Sequence, residues 1–528
     1  MKPLRNIRAL CMSAIALTWA AGVYAADAPK SGGQACWSNE AEKNLASCPG
    51  SGPTTFNVGT HGKQPRVRFK SAPEQVDLKK RDAKSKPGGP TAEMDTFAIR
   101  DQRQEALKPR VRALLITEIS GLEQLFQTTP RRAPDRVRIA RRLAETYVEL
   151  ENAARRDKTQ AEVKKNSGEA AKANQVMLLA RKKAIHFYNL IKTQYPSDKN
   201  LDEVLYYLAY EYEQAEDLVN ARKVYYELIQ KTPNSKYIPS AYLAFGELFF
   251  GEAQSDASKF ELAKQAYTEV IKYPPPDNKM FGYAHYKLAY VNWNQEDFPR
   301  SLTHFKKTIE FAEQYPNLPN AGPLAVAARK DLVPVYALSG RPEAAYGFFK
   351  GLSGDKPNEE SKTFDMMDQL GQNYLDTGYY AEAIALYQDL MKRDRGPRYC
   401  QYHARIAEAT LAMKSGNKDQ IKKVLDGQVG VYKEFKSKGR TGDTQLKCAN
   451  ATAGLLSETA MAWHLEAVGS GGVRGTNDPK TMALADYLYG QVVENFTAQD
   501  FAKFEFPRIA KEDWPTIYKI KYHRADLL

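Results

Sequence analysis

The chain has 528 residues, with 76 Lys+Arg against 63 Asp+Glu for a formal net charge of +13, and 43% of its residues are apolar. That length holds about three or four ordinary domains or one long repeat array, and the apolar content excludes a wholly disordered chain. Five cysteines are too few for a disulfide scaffold, and a mean hydropathy of -0.57 excludes a polytopic membrane protein.

The N-terminus reads as a secretory signal peptide over residues 1–25. Lys2, Arg5 and Arg8 form a positive region, Ala9 to Ala21 is apolar, and Val23-Tyr24-Ala25 sets up cleavage after Ala25. The apolar run is shorter than the ~20 residues of a spanning helix, so the expected mature protein is exported, periplasmic and free of a membrane anchor. Removing three basic and no acidic residues leaves a net charge of 13 − 3 = +10. Loss of Cys11 leaves an even set, Cys36, Cys48, Cys400 and Cys448. Pairing by proximity predicts Cys36 with Cys48 and Cys400 with Cys448, one of three connectivities. No metal site is expected, because no paired Cys or His spacing accompanies them.

Residues 26–100 are poor in Leu and Ile and carry runs such as Pro49-Gly-Ser-Gly-Pro53 and Lys84-Ser-Lys-Pro-Gly-Gly-Pro90. Such a segment buries too little apolar surface to offset its ordering entropy, so a flexible arm is expected. Its bases, among them Lys63, Arg66, Arg68, Lys79, Lys80 and Arg81, would suit an anionic envelope polymer or an acidic partner. Behind a signal peptide, nucleic acid is not an expected partner.

From about residue 100 the periodicity is helical, with apolar residues at i, i+3, i+4 and i+7 in runs such as Val137 to Ala154 and Val176 to Lys192. A repeated grammar runs through it. Leu208-Ala209-x-x-Tyr212 leads to Ala221, Tyr225, Leu228 and Pro233; Phe245-Gly246-x-x-Phe249 leads to Ala263, Tyr267 and Val270. Leu288-Ala289 leads to Ser301 and Phe305, Leu332-Val333-x-x-Tyr336 to Ala345 and Phe349, and Leu370-Gly371-x-x-Tyr374 to Ala383, Tyr387 and Leu390. The opening large residue of each unit and the small residue of its second helix, as Leu208 and Ala221, lie 13 residues apart in four units and 18 in the second, which places a five-residue insertion in its Gly251 to Lys259 turn.

This pattern resembles the tetratricopeptide repeat (TPR), in which small residues at positions 8 and 20 let two helices approach and aromatics at 11 and 24 fill the space beside them. The expected fold is all-α, a TPR-like helical-hairpin solenoid of about six to eight irregular repeats behind a disordered arm. Expected divisions are a degenerate N-terminal repeat region at 101–200, core repeats at 201–397, and degenerate repeats with a cap at 398–528. A polar stretch from Lys158 to Lys172 departs from the repeat grammar.

No metalloprotease, nucleophile-elbow or phosphate-loop motif occurs, and the glycine-rich Gly469 to Gly475 segment lies between helices, so neither catalysis nor a cofactor is expected. The resemblance implies binding in the concave groove, lined by positions 2, 5, 9 and 12 of each first helix. In the unit starting at Gly282 these are Tyr283, Tyr286, Tyr290 and Trp293, and in the unit starting at Asp202 positions 5 and 9 are Tyr206 and Tyr210. Exposed in a groove, such aromatics would be the partner-binding residues. Acidic groove positions Glu203, Glu213, Asp365 and Asp368 would suit a basic partner.

An exported multi-repeat chain with a Gly/Pro/Lys-rich arm is also similar to the periplasmic TPR subunits of the deltaproteobacterial gliding-motility (Agl/Glt) apparatus. That resemblance implies a scaffold joining other envelope proteins, such as motility or outer-membrane complex subunits, with outer-membrane association. A periplasmic assembly factor or chaperone for outer-membrane or cell-wall proteins is the alternative.

Overall fold

The structure is a computed structural model that describes residue 100 and residues 112–413, 417–439, 442–470, 473–506, 511 and 514–528. The signal segment, almost all of the arm, and Cys36 and Cys48 lie outside the described residues.

Nineteen helices are present among the described residues. After α1 (Arg112–Thr128), eight hairpins follow in chain order: α2 (Asp135–Val163) with α3 (Ser167–Gln194), α4 (Leu201–Gln214) with α5 (Leu218–Lys231), α6 (Ile238–Glu252) with α7 (Lys259–Val270), and α8 (Phe281–Asn294) with α9 (Phe298–Gln314). Then come α10 (Ala321–Ser339) with α11 (Pro342–Lys350), α12 (Ser361–Thr377) with α13 (Tyr380–Arg393), α14 (Tyr399–Ala412) with α15 (Lys418–Ser437), and α16 (Asp443–Val468) with α17 (Pro479–Asn495). The short α18 (Ala498–Phe501) and α19 (Ile517–Leu527) close the chain, α19 packing on α16 and α17. Most helices pack on their sequence neighbours, and alternate helices α8 and α10, α10 and α12, and α14 and α16 also touch. The fold is therefore an all-α, TPR-like helical-hairpin solenoid.

The same local chemistry closes several hairpins. Glu216, Glu296 and Gly378 each adopt a left-handed conformation, with φ of 61°, 58° and 77°. The next amide then reaches back to the helix just ended, Asp217 to Tyr212 O, Asp297 to Asn292 O and Tyr379 to Tyr374 O, at 2.8 to 2.9 Å. Asp217 and Asp297 go on to cap the following helices through the amides of Asn220 and Arg300.

Packing explains the small residues of the repeat. Ala209, Ala221, Tyr225, Ala263, Tyr267, Ala383 and Tyr387 are fully buried. A Cβ added at Gly246 would stand 2.3 Å from the Tyr267 ring, and one at Gly371 would stand 2.4 Å from the Tyr387 ring. The position-8 glycine thus leaves the space that the position-24 ring fills. Gly371→Val is expected to cost ~1–3 kcal/mol through overpacking. Gly347→Ala, whose added Cβ meets nothing within 4 Å, is expected to be neutral or slightly stabilising. Denaturant titration of the two variants checks the contrast.

Two segments outside the repeat grammar take definite structure. The polar Lys158 to Lys172 stretch is helical except at its centre, so it lengthens α2 and α3 to 29 and 28 residues. Asn166 caps α3 through the Glu169 amide, and Lys158 bonds Asn174 across the hairpin at 3.2 Å. Inside the Gly469 to Gly475 loop, Gly469–Ser470 and Val473–Arg474 pair as a two-residue antiparallel ribbon.

Cys400 and Cys448 are joined by a disulfide, with their Cα atoms 5.7 Å apart, and it ties α14 to α16. Both residues are buried, and the Gln428 amide from α15 donates to Cys400 Sγ at 3.4 Å and to Thr452 Oγ1 at 2.9 Å.

Candidate functional site

The proposed groove positions do not present exposed aromatics. Tyr206, Tyr210, Tyr283, Tyr286, Tyr290 and Trp293 are all buried, Trp293 being the most accessible at 8%. The expectation of an open aromatic stripe is corrected, and neighbouring helices supply the reason. The Tyr286 hydroxyl donates to Asp331 of α10, the next first helix. Tyr290 lies between Trp293 and Phe305, with ring centroids 5.5 and 5.7 Å away, and Tyr283 faces Tyr286 at 6.1 Å. Lys287 reaches back to α6, its amine 3.7 Å from the Phe250 ring centroid and 3.4 Å from Glu247. Burial lowers the Lys287 pKa, and Glu247 partly opposes that shift. Tyr286 and Lys287 thus join successive hairpins, while Tyr290 packs within its own.

The acidic groove positions divide in an informative way. Glu203 accepts from the Tyr237 hydroxyl at 3.4 Å, Asp368 accepts from Tyr387 at 3.1 Å, and Asp365 pairs with Arg398. All three partners belong to the helical array. Glu213 also takes a partner from outside the array, Arg100, from the far end of the arm.

Arg100 sits in a closed socket. Its Nη1 and Nη2 donate to Glu213 Oε2 and Oε1 at 2.9 and 2.8 Å, a two-pronged pairing with 0% of the arginine side chain and 5% of the glutamate exposed. The Tyr225 hydroxyl donates to Glu213 Oε2 at 2.9 Å and accepts from Arg100 Nη1 at 3.3 Å. Tyr206, whose ring stacks on Tyr237 at 4.6 Å, donates its hydroxyl to the Arg100 main-chain carbonyl at 2.9 Å. Burial alone would lower the Arg100 pKa, but the Glu213 carboxylate more than offsets it and holds the guanidinium charged. Tyr225 is pushed up by burial and then by Glu213, so it stays a neutral hydroxyl.

Tyr206 and Glu213 occupy positions 5 and 12 of one first helix, so the groove does meet an occupant, and the occupant is basic. The repeat grammar marked Glu213 as acidic and groove-facing. Nothing marked Arg100, one of several bases near the arm's end, and Tyr225 had been assigned to packing alone.

A second cluster was also hidden in the sequence. His285 of α8 and His304 of α9 meet with their Nδ1 atoms 2.9 Å apart, although 19 residues separate them. One ring must donate and the other accept, so at least one Nδ1 carries no proton. Burial, then Lys307, Lys264 and Arg300, push His304 down to about 3, and burial, His304 and Lys307 lower His285 well below the ordinary histidine value. No group of three or more His, Cys, Asp or Glu able to hold a metal occurs among the described residues.

The pair predicts acid sensitivity with a definite sign. The unfolded chain binds protons at these sites below about pH 6.5 and the folded chain does not, so stability falls as pH drops from 6.5 toward 3. At pH 5, His304 alone accounts for a loss of ~2 kcal/mol relative to pH 7.5. Denaturant titrations at the two pH values check this, and the double variant His285→Gln with His304→Gln is expected to flatten the difference.

No protein-family model matches the chain, and no curated protein matches it.

Proposed function

We propose that this chain is an exported, non-catalytic TPR scaffold that binds other proteins within a cell-envelope complex, with gliding motility the process that its overall resemblance favours. The observation that carries the reading is the seat of Arg100: groove positions 5 and 12 grip a residue more than a hundred positions away in sequence, through both its side chain and its carbonyl. A surface able to hold a distant chain segment in this way is equipped to hold a segment of another protein. No described helix is long and apolar enough to cross a membrane.

In-cell crosslinking and affinity capture, followed by mass spectrometry, test the proposal. A small fixed set of inner- and outer-membrane proteins, motility components among them, is the expected result. A broad spread of unfolded outer-membrane proteins would replace the scaffold with the chaperone reading. Intact mass of the protein from the envelope fraction tests the expected cleavage after Ala25.

A further inference from the structure

We propose that the Glu213, Tyr225 and Tyr206 socket is an arginine-recognition site, in which the chain's own Arg100 holds the place of an arginine from a partner protein. The inference rests on the scaffold reading and names the chemistry of the segment that the groove takes.

Three features point this way. The first is that the socket reads a residue within a chain. Glu213 takes both guanidinium nitrogens and Tyr206 takes the main-chain carbonyl, so a free cation or an isolated side chain would satisfy only part of it. The second is selectivity. Two carboxylate oxygens engaged at 2.8 and 2.9 Å match a planar fork, and a lysine ammonium cannot meet both in that geometry. The third is the energetic balance of exchange. Emptying the socket would strand the Glu213 carboxylate, which is only 5% exposed, without a countercharge. Swapping one arginine for another keeps the pair intact and carries no such penalty. Arg100 therefore acts as a resident competitor, and a partner's arginine enters as Arg100 leaves.

The test uses the full chain and a fluorescently labelled peptide with the sequence of residues 95–105, followed by anisotropy. Arg100→Ala vacates the socket and is expected to raise peptide affinity at least tenfold over the unaltered protein. Adding Glu213→Gln is expected to remove that gain, and lysine in place of the peptide's first arginine is expected to weaken binding at least tenfold. Arg100→Lys guards against misfolding of Arg100→Ala. It keeps a countercharge beside Glu213 but cannot engage both carboxylate oxygens, and it is expected to raise affinity about threefold, with the circular dichroism spectrum unchanged. Equal binding by the unaltered protein, Arg100→Ala and Arg100→Lys would overturn the proposal, as would binding indifferent to Glu213→Gln or to lysine in the peptide. Each of those results would make the socket purely structural while leaving partner capture, and so the scaffold reading, standing.

Discussion

Tyr286→Ala combined with Tyr290→Ala is expected to collapse the middle of the array rather than to blunt binding alone. Both rings are buried, and they join α8 to α9 through Phe305 and to α10 through Asp331. Removing one buried aromatic side chain costs ~3–5 kcal/mol, because the lost transfer energy is compounded by the cavity left behind. Two adjacent removals share that cavity, so their effects will not simply add. The outcome to look for is a lower denaturation midpoint with loss of helical signal. Tyr286→Phe, which keeps the ring and loses the hydroxyl's bond to Asp331, is expected to cost about 1–2 kcal/mol. Should the double variant keep its stability and lose only its partners, the stripe would be a binding surface after all.

Breaking the disulfide is expected to have the next largest effect, confined to the C-terminal end. Cys400 and Cys448 are 48 residues apart in sequence, and closing a loop of that length removes ~4 kcal/mol of unfolded-state entropy in the chain-entropy account. Residual structure in the unfolded chain reduces what is realised, so Cys400→Ala with Cys448→Ala is expected to lose ~2–4 kcal/mol. Stability in a solenoid is local, since each repeat touches only its neighbours. Hydrogen exchange should therefore quicken in α14 to α17, while α4 to α9 keep their protection. Uniform loss across the array would show instead that the hairpins unfold as one unit.

The hairpin boundaries were legible because they depend on near neighbours in sequence. Ala209 and the pair Ala221 and Tyr225 lie on two helices joined by a turn of only three residues, and the spacing between such landmarks is readable by counting. Gly246 and Gly371 reveal their purpose in the same way, since the ring that needs the space lies within the same hairpin. The Lys158 to Lys172 stretch leaves the repeat grammar because a solvated helix extending past the core needs few apolar residues.

By itself, then, the sequence determined which segments are helices, where they turn, and which small and aromatic residues pack within each pair. Tertiary structure alone decided which faces remain open. Groove positions are defined by spacing within one helix, but their burial depends on where the next hairpin and the arm come to rest, and no local pattern encodes that. The same limit hid the meeting of His285 with His304 and of Arg100 with Glu213, where each partner is unremarkable until the chain brings the other alongside. Burial then converts these ordinary polar residues into coupled groups, because a charge removed from water is tolerated only when its partner is already in place.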